Sequence, residues 1–378
     1  MDLPGVVTQN TSRWLLGPPV KVAGPAELTA VAVTSTGEAA MVGFLRLPND
    51  RTAPLVVFQN ATGPHILAGA PADSTAEVHL NDVAVAGDDV WAVGSITAGG
   101  VTRPRIERYS RCNRHASGQP VPVAPPDIAG ELRAVTALGP PEAWAVGWEA
   151  GDRRRPLILH DDGVGWVRVP APDLGSAGGV LNGVAAVAPD DVWAVGHLDG
   201  SGPAGLSQTL VLRWNGDSWK RVDSLSPGPG GNELLSVAAA GRDDIWCAGF
   251  TGAPGPDTST QALLLRYDGV AWQAVPPAVA AQPAALFSDI AVLSGTDIFF
   301  AGYAEDDAGG VEETFHIEHW NGQEVEVSPV IVDPPVIHYD HPASGVSGIA
   351  AGSPRGPVVA VGWLGSEEDP EPAILRYC

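Results

Sequence analysis

Two imidazoles and a carboxylate fall within four consecutive residues, His338, Tyr339, Asp340 and His341, in the stretch "VIVDPPVIHYDHPASG". Imidazole nitrogens beside carboxylate oxygens suit zinc or another transition metal. His338, Asp340 and His341 are therefore candidate ligands for a divalent metal cofactor. Two acidic stretches belong to the same part of the chain. "YAEDDAGGVEE" carries Glu305, Asp306, Asp307, Glu312 and Glu313, and "WLGSEEDPEP" carries Glu367, Glu368, Asp369 and Glu371. Carboxylates alone suit calcium. The spacing follows no established metal motif, so a solvated polar loop is the alternative.

A second constellation is spread along the chain. His79, Asp82, Arg133, His197 and Asp289 stand beside short apolar runs, together with Asn81, Asn182, Ser236 and Ser288. A histidine or carboxylate there could move a proton, with Arg133 steadying an anion. Histidine is the side chain whose ordinary pKa suits such work near neutral pH. Trp148, Phe250, Tyr303 and Trp363 occupy the equivalent of the His197 position elsewhere in the chain. Together they would form an aromatic collar around a ligand pocket. Arg153 and Arg154, next to Arg155, form one basic cluster, and Arg103, Arg105, Arg108, Arg111 and Arg114 form another. Guanidinium groups in this density suit an acidic peptide or a carboxylate ligand, or they offset an acidic surface. No GxSxG, Walker, HExxH or CxxC pattern occurs.

What must position these residues is a repeat. "DDVWAVG" occurs at Asp88 and again at Asp190, with variants "PEAWAVG" from Pro141, "DDIWCAG" from Asp243 and "TDIFFAG" from Thr296. Aligned on the terminal glycine, seven copies end at Gly43, Gly94, Gly147, Gly196, Gly249, Gly302 and Gly362. Each copy has an apolar run, a turn, the phrase, a variable loop, a third run such as "TLVLRWNG" and a fourth such as "WKRVDS". Four short strands of this kind make a meander that buries its faces only against neighbours. The pattern predicts an all-β, seven-bladed propeller of four-stranded antiparallel blades in a single domain over 1–378. The blades fall at 28–71, 80–127, 132–173, 181–226, 234–279, 286–330 and 346–378. The last copy lacks a fourth strand, and "SRWLLGPPV" within 12–20 supplies one, closing the ring and removing a sheet edge. The repeated Trp and its Phe299 counterpart are expected between blades. The Asp pairs preceding it are expected to cap turn amides, and His160, His316 and His319 to face solvent or an edge.

The turns "HDDGVGW", "WNGDSW", "YDGVAW" and "WNGQEV" resemble degenerate Asp-box (BNR-type) hairpins of sialidase-like propellers. The repeat as a whole resembles the Trp-rich "DVWAVG" propeller repeats of actinobacterial proteins. The resemblance spans the chain and implies the fold. It implies no activity, because one fold hosts many. The sialidase arginine triad, tyrosine nucleophile and acid match no motif here.

Composition narrows the partners. A net charge of -23 argues against nucleic acid and anionic membranes. No 18-residue apolar run predicts a membrane span. The start of the chain lacks signal-peptide features, which implies a cytoplasmic protein or a secreted one with its leader removed. Three cysteines imply no disulfide framework, and Cys247 stands at an apolar position. The expected protein is a monomer that binds a peptide, protein or small-molecule ligand on its loop face and channel mouth. The alternative is a propeller lyase, hydrolase or cyclase at that mouth, with or without a metal.

Overall fold

The computed structural model describes residues 13–48, 51–60, 63–68, 76–110, 119–121, 123–124, 128–139, 142–202, 205–228, 230–252, 260–278, 284–305, 313–331, 343–353, 356–366 and 369–378. These form seven sheets, each a blade whose first strand is innermost. Blade one comprises Ala26–Val33, Ala39–Arg46, Thr52–Asn60 and Gly63–Ala68, and blade two Glu77–Ala86, Asp89–Ala98, Val101–Ser110 and Gln119–Pro120. Blade three is Gly130–Gly139, Glu142–Glu149, Arg155–Asp161 and Trp166–Arg168, and blade four Gly178–Ala188, Asp191–Asp199, Gln208–Trp214 and Trp219–Val222. Blade five is Asn232–Gly241, Asp244–Thr251, Gln261–Tyr267 and Trp272–Val275, and blade six Ala285–Ser294, Asp297–Glu305, Glu313–Trp320 and Val325–Val327. Blade seven takes Ala343–Ala351, Val358–Gly365 and Pro370–Tyr377 from the end of the chain and Trp14–Leu16 from its beginning. Each innermost strand lies against the next, and blade seven lies against blade one, so the ring closes.

The N-terminal strand closes the last blade as the sequence predicts, with Trp14 opposite Tyr377 in an antiparallel pair. Two features are new. Val123–Ala124 adds a parallel fifth strand outside blade three, and Val330–Ile331 does the same outside blade seven. Such two-residue strands carry no periodic signal.

The glycine that ends the phrase is required by a close approach. A β-carbon at Gly94 would lie 1.9 Å from the His79 carbonyl oxygen, and one at Gly196 would lie 2.0 Å from that of Val180. The same holds at Gly43, Gly147, Gly249, Gly302 and Gly362. Directly beyond each glycine the first strand bulges, as in the shift between Leu80 and Asp82 opposite Gly94 and Val93. A bulge leaves one residue outside the ladder. Those residues are Thr29, Asn81, Arg133, Asn182, Leu235, Ser288 and Ser347.

The Trp of the phrase is core. Trp91, Trp144, Trp193 and Trp246 are buried, as is Phe299. Each of three packs edge-to-face on the fourth-strand Trp of the next blade: Trp91 on Trp166, Trp144 on Trp219 and Trp193 on Trp272, with centroids 5.4–6.0 Å apart. Phe299 meets Trp14 in the same way across the closing junction, at 5.5 Å. Pairs of this geometry add about 0.5–1.5 kcal/mol beyond burial.

The acid before the Trp does more than cap a turn. Asp191 grips Arg213 through two contacts of 2.8 and 3.1 Å, and Asp244 grips Arg266 likewise. The guanidinium then covers the Trp ring, 4.7 Å from the Trp193 centroid and 5.1 Å from that of Trp246. Where the third strand carries histidine the device persists. His160 bonds Glu142 at 2.7 Å and stacks on Trp144, and His319 bonds Asp297 at 2.7 Å and stacks on Phe299. His316 is buried beside Glu318, 3.0 Å away. These histidines do not simply face solvent. In the hairpins that resemble Asp boxes, Asn215, Asp268 and Asn321 accept turn N–H groups through Oδ1. Cys247 is fully buried, and burial pushes its thiol pKa up.

Gly94→Ala is expected to destabilise the protein by about 1–3 kcal/mol or more through forced backbone movement. Gly241→Ala, whose β-carbon meets nothing within 4 Å, should stay within about 0.5 kcal/mol of the wild type. Urea denaturation midpoints of the two variants check this.

Candidate functional site

The innermost strands enclose a channel cavity of about 430 Å³, lined by Asn81, Asp82, Arg133, Asn182, Ser236 and Asp289 among others. Three of the candidate catalytic residues therefore share one space. Their contacts run across blade junctions. The Thr29 hydroxyl donates to Leu80 O at 2.8 Å, Asn81 Nδ2 to Leu132 O at 2.7 Å and Asn182 Nδ2 to Leu234 O at 2.8 Å. Arg133 Nη1 donates to Asn182 Oδ1 at 2.7 Å. The Ser236 hydroxyl donates to Asp289 Oδ1 at 2.7 Å, and the Ser288 hydroxyl to Val346 O at 2.6 Å. These bonds join blades one to two, two to three, three to four, four to five, five to six and six to seven in turn.

The two aspartates act as staples. Asp82 accepts the N–H of Val83 and, from blade three, that of Val135, both at 2.8 Å. Asp289 accepts the N–H of Ile290 at 2.9 Å and, from blade seven, that of Ile349 at 2.8 Å. Burial pushes the Asp82 pKa up to about 7, with the Asp289 charge adding and the two N–H donors opposing. Burial likewise raises Asp289, against the donors Ile349, Ser236 and Ile290.

His79 lies at the loop-face end of the inner strand of blade two, and His197 lies on the second strand of blade four, opposite Val180 of its inner strand. His79 is tilted against the Phe44 ring, 4.7 Å between centroids. Burial lowers its pKa, and the charges of Glu131 and Glu77 partly offset this. His197 is 5% exposed. Its Nδ1 lies 3.2 Å from Glu233 Oε2 and its Nε2 3.3 Å from Asp199 Oδ1, while Arg154 bonds that same Asp199 oxygen at 2.7 Å. Burial lowers the His197 pKa too, with Glu233 and Asp199 opposing. The result is a row of polar groups from blade three to blade five, Arg154–Asp199–His197–Glu233.

Sequence reasoning overlooked a set of glutamates. Glu27, Glu131 and Glu233 occupy the position that His79 holds in blade two, each opposite the residue after the phrase glycine. The signal was present as "ELTAV", "HLNDV", "ELRAV" and "ELLSV". Glu131 accepts hydrogen bonds from Asn81 and Trp148. The collar positions are not alike. Phe250 is buried, whereas Trp148, Tyr303 and Trp363 are half-buried.

Arg153, Arg154 and Arg155 lie in and just after the connection between the second and third strands of blade three, all exposed. Arg153 and Arg155 line a groove of about 520 Å³ that the channel does not include. Arg105 and Arg108, from the other cluster, are held by Glu107 and Asp89 within blade two. The candidate metal ligands His338, Asp340 and His341 lie outside the described residues, as do Asp306, Asp307, Glu312, Glu367 and Glu368. Among the described residues no group of three His, Cys, Asp or Glu side chains is placed to hold a metal ion. No described helix is long and apolar enough to cross a membrane.

No protein-family model matches this chain, and no curated protein sequence matches it either. Solved structures match its fold at low identity. YCF48 bound to a D1 peptide is 15% identical, with a TM-score of 0.54, covering 98% of this chain and 96% of that one. A polysaccharide lyase of family PL25, an ulvan lyase, is 10% identical with a TM-score of 0.61, covering 94% and 95%. The β-propeller domain of the Trilobed protease from Pyrococcus furiosus is 11% identical with a TM-score of 0.54, covering 94% of each. Identities this low establish a shared propeller fold and nothing finer.

The raised Asp82 pKa has a consequence for stability. In the unfolded chain the carboxyl ionises near pH 4, and in the folded protein near 7. Across that window the native state binds more protons, so this group makes stability fall as pH rises. Asp289 contributes in the same direction. In Asp82→Asn, the drop in urea midpoint between about pH 4.5 and about pH 7.5 should be smaller than in the wild type.

Proposed function

We propose that this chain is a binding propeller that presents its loop face to a peptide or protein partner. One contrast carries the reading. Asn81, Arg133, Asn182, Ser236 and Ser288 of the channel are engaged across blade junctions. On the loop face, Arg153 and Arg155 share a groove and have no ion-pair partner among the described residues. A rigid scaffold carrying variable loops on one face is a common way to build a recognition surface. The fold is compatible with peptide ligands, since YCF48 is seen with a D1 peptide. The half-buried Trp148, Tyr303 and Trp363 would contribute contact area to a larger partner.

One observation favours a second reading, an enzyme acting in the channel. A carboxyl with a pKa near 7 beside a cavity of about 430 Å³ suits a general acid or base. Against it, both Asp82 oxygens are held by backbone N–H groups. A carboxyl fixed in this way is poorly placed to deliver a proton to a substrate. A metal held by His338, Asp340 and His341 would belong to this second reading.

Selection of a random phage-displayed peptide library on the purified protein tests the binding reading. Enrichment over bare matrix is expected. In hydrogen–deuterium exchange the selected peptides should protect 149–156 and 170–179 more than the 161–165 hairpin, which is at the opposite end of blade three. No enrichment, or protection confined to the hairpin end, would overturn it.

A further inference from the structure

We propose that the groove on blade three takes an extended acidic peptide segment with apolar residues interleaved among its carboxylates. The proposal rests on the loop-face binding reading and names its partner class. Arg153 and Arg155, in and after the second-to-third connection, line it together with Arg168 of the fourth strand. The segment leading to blade four also lines it, with Pro170, Pro172, Leu174 and Ala177. The volume, about 520 Å³, lies in the range of ligand sites.

The charges are unevenly satisfied. Of the acids lining the groove, Glu149 bonds Arg168 at 2.5 Å and Asp173 accepts the Gly175 N–H at 2.9 Å. Elsewhere most guanidiniums are held: Arg105 by Glu107, Arg108 by Asp89, Arg154 by Asp199, Arg213 by Asp191, Arg242 by Asp190 and Arg266 by Asp244. Arg153 and Arg155 have no such partner among the described residues, although the chain has 44 acidic residues for 21 basic ones. Two free guanidinium forks suit carboxylates, which they can bond in bidentate fashion. The proline and aliphatic wall suits apolar side chains and loses little entropy on binding, because proline is already rigid.

Charge also separates the partner classes. A nucleic acid presents dense phosphate to the whole surface and meets a net charge of -23. A short acidic segment meets only the local arginines, because at physiological ionic strength the field of the remaining charges is screened within about 8 Å. Alternation of acidic and apolar residues lets an extended chain offer carboxylates to the arginines and apolar groups to the prolines and aliphatic side chains.

The test is fluorescence anisotropy at physiological ionic strength with a labelled hexapeptide alternating glutamate and leucine. Its glutamine–leucine counterpart serves as the neutral control. The acidic peptide should bind at least about tenfold more tightly than the neutral one, and Arg153→Ala/Arg155→Ala should weaken it by about tenfold or more. Lys220→Ala/Arg221→Ala removes the same charge from exposed positions on the outer strand of blade four and should change affinity by less than about twofold. Tryptophan fluorescence confirms that each variant keeps its inter-blade packing. No binding of the acidic peptide, equal binding of the neutral one, or equal losses in the two double variants would overturn the proposal. If peptides from the library selection still bind on the loop face, the proposed function survives that failure.

Discussion

The structure depends on one close approach, made seven times. The second strand of every blade presses its backbone onto the first strand so tightly that only glycine fits, as at Gly94 against His79 O and Gly196 against Val180 O. The inner strand yields by bulging beside that contact, and the bulge pushes one residue out of the ladder. At six junctions that residue or its neighbour bonds the next blade, through Thr29, Asn81, Arg133, Asn182, Ser236 and Ser288. The glycine thus accounts for the phrase ending as it does, and also for the polar ring of the channel. A radial fold needs such bonds at its axis, because the innermost strands are crowded and poor in large side chains.

Further out, the aromatic part of the same phrase takes over. The Trp of one blade meets the fourth-strand Trp of the next edge-on, while an Arg or His from its own third strand covers its face. The acid at the start of the second strand holds that side chain in place. Asp191 is 1% exposed, and a carboxylate buried this deeply is tolerable because Arg213 grips both its oxygens and Arg242 reaches one of them at 3.4 Å. Phrase, third strand and neighbouring fourth strand are therefore one unit. That explains why Glu142 accompanies His160 and Asp297 accompanies His319 where other copies have Asp with Arg.

Much of this was legible in the sequence. The glycine spacing gave seven blades, the Trp series gave the inter-blade core, and the orphan strand around Trp14 gave the ring closure. Local sequence could not tell the two uses of a polar residue apart. Asp82 and Asp289 look the same whether they await a substrate or hold Val135 and Ile349, because the partner is about one whole repeat away. The Glu27, Glu131 and Glu233 set was visible as a recurring letter, but only the register opposite the phrase glycines gives it a place. The groove of blade three was legible in halves. The arginines stood out, while Pro170 and Pro172 were read as part of the fourth run of the blade.

The same economy that makes the channel secure constrains where recognition can evolve. A residue in the ring cannot change its hydrogen-bonding character without loosening a junction, so the channel is conservative by construction. The connections between second and third strands bond the next blade through backbone groups, as where the Gly179 N–H donates to Arg154 O, and backbone bonds leave the side chains free to vary. Blade three illustrates the difference within one sheet. Arg133, on its inner strand, is tied to Asn182, and Arg154, on its loop, is tied to Asp199. Arg153 and Arg155 sit one residue to either side of Arg154 with nothing comparable among the described residues. In an acidic protein, leaving such groups unmatched forgoes easy ion pairs, and each exposed pair would have been worth only about 0–1 kcal/mol. The loss in stability is small, and what remains is a groove that unmatched arginines share with prolines, which a partner of opposite charge can use.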